Sequence, residues 1–358
     1  LKRTISLSFC IALSLSLGAC SFTSSAPQSD DDQSGTESYL GEMGPPVQVS
    51  DLKTCLLPSK GKSENPGLNK MASDAMNRAS KELQVPTIPT PAPSTDDDSD
   101  VLDKLIEQGC TFVVGIGHEA AWEIEGYFSL QKEVQFLVVN DPEPKLSEDI
   151  KPLSFEPAQA SFLAGYAAAA MTTTGKVGTF LGSDNASASF IADGFAEGIS
   201  AYNNRNGTAI ELIGWSTHKR EGEVVDDPKD KEAVKKATKS LLDSGADVVM
   251  PISSQVGTEV LEVIKAKENA MAIWHDVDGA AAFPDYAPII LTSVLVNAEN
   301  SIFDIIKLSK EQKFDIEEHI GDLKNGGVGL APWHEFEKRV PEDVKKDIQS
   351  LSDDLTSN

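Results

Sequence analysis

From Val47 onward, short apolar runs alternate with stretches of helical period, and this alternation restricts the fold more than any other feature. Residues 52–57 (LKTCLL), 111–117 (TFVVGIG) and 134–140 (VQFLVVN) read as buried strands, with helices expected over 68–83, 101–109 and from about His118. On the first helix Leu68, Met71, Ala75, Ala79 and Leu83 share one face. Strand–helix units in series predict parallel sheets. A proline-bearing connection and a small-residue helix over 157–175 then lead into a second series. Its expected strands are KVGTFLG, AIELIGW, ADVVMPIS, MAIWHD and PIILTSVLV, with helices between them. The 358 residues accommodate two such bodies. The expected fold class is α/β, with two doubly wound parallel-sheet lobes joined by a hinge. Lobe I is placed at 47–153 and lobe II at 154–290. Residues 291–340 form a hinge crossover and elements shared between lobes, and 341–358 an acidic tail, read as an acidic helix with a frayed end.

One turn invites a cofactor reading. Gly115-Ile116-Gly117-His118-Glu119-Ala120 fits a relaxed dinucleotide fingerprint, with Asp141 downstream at the range of a ribose-binding acid. A dehydrogenase places that fingerprint after its first strand, whereas here it follows the third strand of the first lobe. The loop after residues 52–57, Pro58-Ser59-Lys60-Gly61-Lys62, lacks the pattern. Glycine turns at strand C-termini also serve any crevice ligand through their exposed N–H groups. No cofactor is expected, and Gly117 and His118 are placed at the mouth of the crevice.

The N-terminus indicates a compartment. Lys2 and Arg3 precede an apolar segment, Ile5 to Leu17, too short to span a bilayer, and Leu17-Gly18-Ala19-Cys20 follows. This order matches a bacterial lipoprotein signal peptide over 1–19, with lipid on the Cys20 sulfur. Residues 20–46 then form a polar tether too poor in apolar groups to fold. The expected location is the extracytoplasmic face of a cell membrane, held by the lipid anchor. Cys55 and Cys110 are too few for a disulfide scaffold, and two readings stay open: small buried hydrophobes, or one bridge.

Other chemistry is sparse. A formal net charge of −25 makes nucleic acid a poor partner. Asp96, Asp97, Asp98 and Asp100 lack the glycine and terminal Glu of a calcium loop and suit a helix start. His118, His218, His275, His319 and His334 have no metal-ligand spacing, and there is no G-x-S-x-G elbow. No metal and no catalytic residue are expected. His275-Asp276 ends a strand and reads either as a ligand-contact pair or as a cap on the next turn.

At Ser161–Gly165, Ala167–Met171, Gly175–Gly178, Phe180 and Gly182 the chain resembles the basic membrane protein family of solute-binding lipoproteins. Asp193–Gly198 (DGFAEG), Gly245–Pro251 (GADVVMP), Thr292–Val296 (TSVLV) and the strands FVVGIG and QFLVVN extend the resemblance. It implies a type I periplasmic-binding-protein clamp, with two lobes joined by three crossovers. It also implies ABC permease subunits as partners and a small solute, purine nucleosides in the family's best-understood members.

Carried over residue by residue, the resemblance implies ligand contacts at Ser59, Leu68, Asn69, Asn140, Ser254 and Asp276. Asn69 and Asp276 keep the family residue. Ser59 replaces an Asp, Leu68 a stacking Phe, Asn140 a base-reading Asp, and Ser254 a ribose-contacting Gly. Val225 falls at a second stacking Phe, and Val296 replaces a Lys. Stacking contributes about 1–3 kcal/mol per base in nucleic-acid binders, so this pocket is expected to treat purines differently. Asn140 also adds a donor where the family has only acceptors. Trp274, His118 and Trp215 are candidate replacement aromatics, with core packing the favoured role for Trp274. The expected function is a solute receptor of an ABC importer. The alternative is a sensory or regulatory lipoprotein that kept the clamp without transport.

Overall fold

The computed structural model describes residues 47–59, 66–91, 101–128, 133–140, 149–253 and 255–357. The signal segment, Cys20, the tether, the Asp96–Asp100 loop, Asp141 and Ser254 lie outside the described residues.

The chain begins with β1 (Thr54–Leu57), α1 (Pro66–Glu82), β2 (Thr87–Ile88), α2 (Val101–Glu107), β3 (Phe112–Ile116), α3 (Gly117–Phe128), β4 (Gln135–Val139) and β5 (Ile150–Phe155). It continues with α4 (Pro157–Met171), β6 (Lys176–Leu181), α5 (Ala186–Asn206), β7 (Glu211–Ile213), β8 (Trp215–Ser216) and β9 (Glu221–Gly222). Next come α6 (Lys231–Asp243), β10 (Val248–Ile252), α7 (Glu259–Lys265), β11 (Met271–Asp276), α8 (Gly279–Ala282) and β12 (Ile290–Val296). The last elements are α9 (Ala298–Lys310), β13 (His319–Gly321), β14 (Val328–Leu330) and α10 (Glu342–Thr356).

Two six-stranded sheets result, ordered β13-β5-β4-β3-β1-β2 and β14-β12-β11-β10-β6-β7. Within them the described pairings are parallel except β12 with β14. The α/β class and the two doubly wound lobes are those expected from the strand–helix alternation. The chain passes between the sheets at Glu156, at Asn297 and through residues 322–327, giving three crossings.

Helix packing explains several motifs. In α4 and α5 the backbones meet directly. A Cβ added at Gly165 would lie 2.0 Å from the Phe195 carbonyl oxygen, and one at Gly198 1.9 Å from that of Phe162. The SFLAG and DGFAEG motifs are therefore two halves of one helix contact, and a side chain at either glycine would force the helices apart. Helix α9 returns to the first sheet, where Ile302, Phe303 and Ile306 pack with Ala72, Ala75, Met76 and Ala79 of α1. The Arg78 guanidinium lies 3.8 Å over the Phe303 ring.

Some elements differ from expectation. β5 was not foreseen: its Lys151 and Pro152 break the apolar run, yet Lys151 is buried and paired with Asp315 and the Glu317 carbonyl. AIELIGW does not form one strand. Gly214 has φ +90° with the Thr179 carbonyl oxygen 2.0 Å from where its Cβ would lie, and the chain turns there into the β8–β9 hairpin. The helix from Pro157 ends at Met171 rather than Gly175. Residues 342–356 form a docked helix, with Val344 and Ile348 buried. Its Asp347 accepts a 2.7 Å bond from the Tyr166 hydroxyl and pairs with Arg205. Burial and that carboxylate push the Tyr166 phenol up to about 12.

Cys55 and Cys110 form a disulfide with Cα atoms 6.0 Å apart and a sequence separation of 55, resolving the choice the sequence left open. The bridge ties β1 to the start of β3 inside the first lobe's core. Closing a loop of that length restricts the unfolded chain by about 4 kcal/mol in the chain-entropy view. The double variant C55A/C110A is expected to lose about 2–4 kcal/mol of stability in urea denaturation, with native-like circular dichroism retained.

Candidate functional site

In parallel sheets of this kind, ligands meet loops at the strand C-termini. A cavity of about 210 Å³ lies at those ends, and both sheets contribute to it. From the first lobe come Leu68 and Met71 of α1 and Asn140 after β4. The crossings supply Phe155, Pro157 and Val296. The second lobe supplies Ser183, Asn185, Ser187, Ala188 and Ile191 around the start of α5. It also supplies Ile252 and Ser253 after β10, and His275 and Asp276 at the end of β11. The lining mixes apolar side chains, aliphatic apart from Phe155, with hydroxyl, amide, imidazole and carboxylate groups. Among the described residues Asp276 is the one carboxylate in the lining, and no Lys or Arg lines it.

Two lining residues hold matching places. Counting from β2 and from β7, β4 and β11 are each the fourth strand of their sheet. Asn140, just past β4, has φ 58°, and Asp276, ending β11, has φ 69°. Asn and Asp tolerate the left-handed region better than other residues with a Cβ. The Asn140 N–H donates to the Leu153 carbonyl at 2.8 Å, which ties this turn to β5 and hence to the first crossing.

Of the residues expected to contact ligand, Leu68, Asn140 and Asp276 are brought together in the cavity. Ser59 and Asn69 instead pair with each other. The Asn69 side-chain carbonyl accepts from the Ser59 N–H at 2.9 Å, and its amide donates to the Ser59 carbonyl at 3.2 Å. The pair fixes the end of β1 against α1. Gly117 starts α3 with φ +77°. His118 is exposed and stacks with Trp122, which is 75% exposed, ring centroids 6.4 Å apart. Neither Gly117 nor His118 lines the cavity. Val225, Trp215 and Trp274 are buried in the second lobe's core, Trp274 edge-on to Phe283. None of the three supplies an aromatic face to the cavity. Val296 lines it at the second crossing.

A sequence pattern described as ABC transporter substrate-binding protein PnrA-like, the Bmp family, matches residues 56–356. The chain belongs to the Bmp family. No curated protein matches it. Among solved structures it is similar to an ABC transporter solute-binding protein from Aeropyrum pernix K1 (TM-score 0.70, 19% identity, covering 86% of this chain and 91% of that one). It is similar also to one from Conexibacter woesei DSM 14684 (TM-score 0.66, 20% identity, 86% and 96% covered). A third similar fold is described as a transcriptional activator of the comK gene from Bacillus halodurans (TM-score 0.69, 21% identity, 84% and 96% covered).

For this Bmp protein, several motif residues hold the site rather than line it. Asp247 of GADVV accepts from the Thr173 and Thr174 N–H groups at 2.7 and 3.1 Å and bonds the Thr172 hydroxyl. Burial works to raise its pKa, but the threonine hydrogen bonds outweigh this and hold it below the usual carboxylate value. The turn before β6 is thereby fixed. Asn185 caps α5 by accepting from the Ala188 N–H at 2.9 Å and donates to the Ser183 hydroxyl at 2.8 Å. Asp278, not Asp276, caps α8 through the Ala281 N–H at 3.2 Å.

His275 differs from these residues. It is 8% exposed, and neither ring nitrogen has a hydrogen-bond partner. Nδ1 lies 2.6 Å from the Asp276 carboxylate, yet the approach is outside hydrogen-bonding geometry, so the short distance counts only as an electrostatic contact. Met71, Phe155, Pro157, Asn185, Ser187 and Ser253 were not foreseen in the lining. Met71 shared a predicted helix face with Leu68. Asn185 before an apolar helical run carries an N-cap signal. The crossing residues Phe155 and Pro157 carry no local signal, because only the folded topology places them there.

Proposed function

We propose that this Bmp protein is a lipid-anchored receptor on the outer face of a bacterial cell membrane that hands a nucleoside-class solute to the permease of an ABC importer, without catalysis. The observation that carries the reading is the cavity whose lining is divided between two lobes, at the strand ends and beside the crossings. Such a site engages a solute from both sides and couples its capture to lobe closure. The apolar side chains of Leu68, Met71 and Ile191 suit a heterocycle face, and the hydroxyl and amide groups of the lining suit a sugar. Among the described residues the lining holds no Lys or Arg, and that, with the Asp276 carboxylate, supports an uncharged solute over its phosphorylated forms.

A hydrolytic role finds no support in the cavity. Covalent catalysis needs a nucleophile within hydrogen-bond reach of its base. Among the described residues no hydroxyl bonds to either His275 nitrogen. The location reading rests on the segment ending at Cys20 and on a disulfide of the kind that persists in oxidising compartments.

Two measurements test the proposal. Calorimetry on the chain truncated after Cys20 is expected to show saturable binding of inosine, guanosine or adenosine and none of the corresponding monophosphates. Silence with nucleosides at millimolar concentration beside tight binding of another solute would refute the nucleoside class. In cell fractionation, C20S is expected to move the protein from the membrane to the soluble fraction; unchanged membrane retention would contradict the anchor.

A further inference from the structure

We infer that His275 is the specificity-determining residue of the cavity, reading a hydroxyl-bearing part of the solute with its ring nitrogens while Asp276 accepts from a neighbouring hydroxyl. The inference deepens the receptor reading and rests on it. A buried polar group without a partner is uncommon in folded proteins and costs stability. His275 has two such atoms on one ring and lies in the cavity lining. Three of the polar side chains around it have internal hydrogen bonds: Asn185 caps α5 and donates to the Ser183 hydroxyl, and the Ser253 hydroxyl accepts from the Gln255 N–H at 3.2 Å. Neither His275 nitrogen has a hydrogen bond within the protein, and Nδ1 meets the Asp276 carboxylate only as an electrostatic contact, so the ring is organised for something that enters.

The chemistry of that partner follows from the ring. A neutral imidazole presents one donor and one acceptor, whereas a carboxylate only accepts. A hydroxyl can donate and accept in turn. A pair of neighbouring hydroxyls can therefore satisfy the imidazole and the carboxylate together, as an anion or a hydrocarbon cannot. The left-handed backbone at Asp276 turns the chain immediately after the ring and keeps the two side chains within 2.6 Å of each other. His275 is thus the element that separates hydroxylated solutes from deoxygenated ones of the same shape.

The test compares wild type with His275→Phe and His275→Gln on the chain truncated after Cys20. The probes are inosine, 2′,3′-dideoxyinosine, ribitol, myo-inositol and a cell extract fraction below about 1 kDa, a size chosen to match small-solute pockets. Wild type is expected to bind a hydroxylated probe at least about tenfold tighter than its deoxygenated counterpart, a factor in the range of polar-group recognition. His275→Phe should lose that preference and bind at least about tenfold more weakly, and His275→Gln should recover part of it. The unliganded His275→Phe protein should melt at the wild-type temperature or above, because an unpaired buried polar group has been removed. Unchanged affinity and preference in His275→Phe would overturn the inference. A clearly lower melting temperature of that variant without ligand would overturn it too, by making the ring structural. If ribitol, myo-inositol or an extract component binds instead of inosine and His275→Phe weakens it, the inference stands and the nucleoside class falls. If no probe or extract component binds wild type, both fall.

Discussion

The site depends on the three places where the chain passes between the two sheets. Parallel strands require each strand to return through a helix, so the C-terminal ends of a sheet collect on one edge. The crossings at Glu156 and Asn297 leave from two such edges. Their neighbours Phe155, Pro157 and Val296 are consequently both connections and cavity lining. Under the proposed receptor function, a solute held there would touch the segments that connect the two lobes. Glycines in α4 and α5 and the Cys55–Cys110 bridge hold each lobe as a unit, so strain from the cavity would be directed to the crossings.

The cavity's chemistry is asymmetric. Aliphatic groups come mainly from α1 and the crossings, and polar groups mainly from the ends of β6, β10 and β11. Ser183, Asn185 and Ser253 are fixed by helix capping or local turns, which sets their directions in advance and lowers the ordering cost of binding. His275 differs, with two buried nitrogens that have no hydrogen bond within the protein. A residue whose local arrangement disfavours the empty fold is expected at a ligand clamp, where binding supplies what folding does not.

Much of the architecture was legible in the sequence. Strands such as FVVGI and QFLVV are buried on both faces and read as continuous apolar runs, and the helices between them carry a helical period. β5 was not legible, because its lysine is neutralised only by Asp315, distant in sequence, which no local pattern can show. The acidic C-terminal helix is legible as a helix, but its docking is not: Val344 and Ile348 join the core around α4 and Asp347 meets Tyr166. At the site, Leu68, Asn140 and Asp276 were reached through family motifs. Asn69 was placed on the ligand, yet both ends of its side-chain amide are taken by Ser59. His275 drew notice only as a strand-ending pair; its importance is a matter of what fails to touch it, which is a property of the folded environment.

The most direct test of a solute held between two lobes is a crystal structure of the truncated protein with the solute selected by calorimetry. Density for that solute is predicted between Leu68 and Met71 on one side and His275 and Asp276 on the other, with a hydrogen bond to the His275 ring. Density at another surface, or a liganded protein whose cavity holds only water, would contradict it.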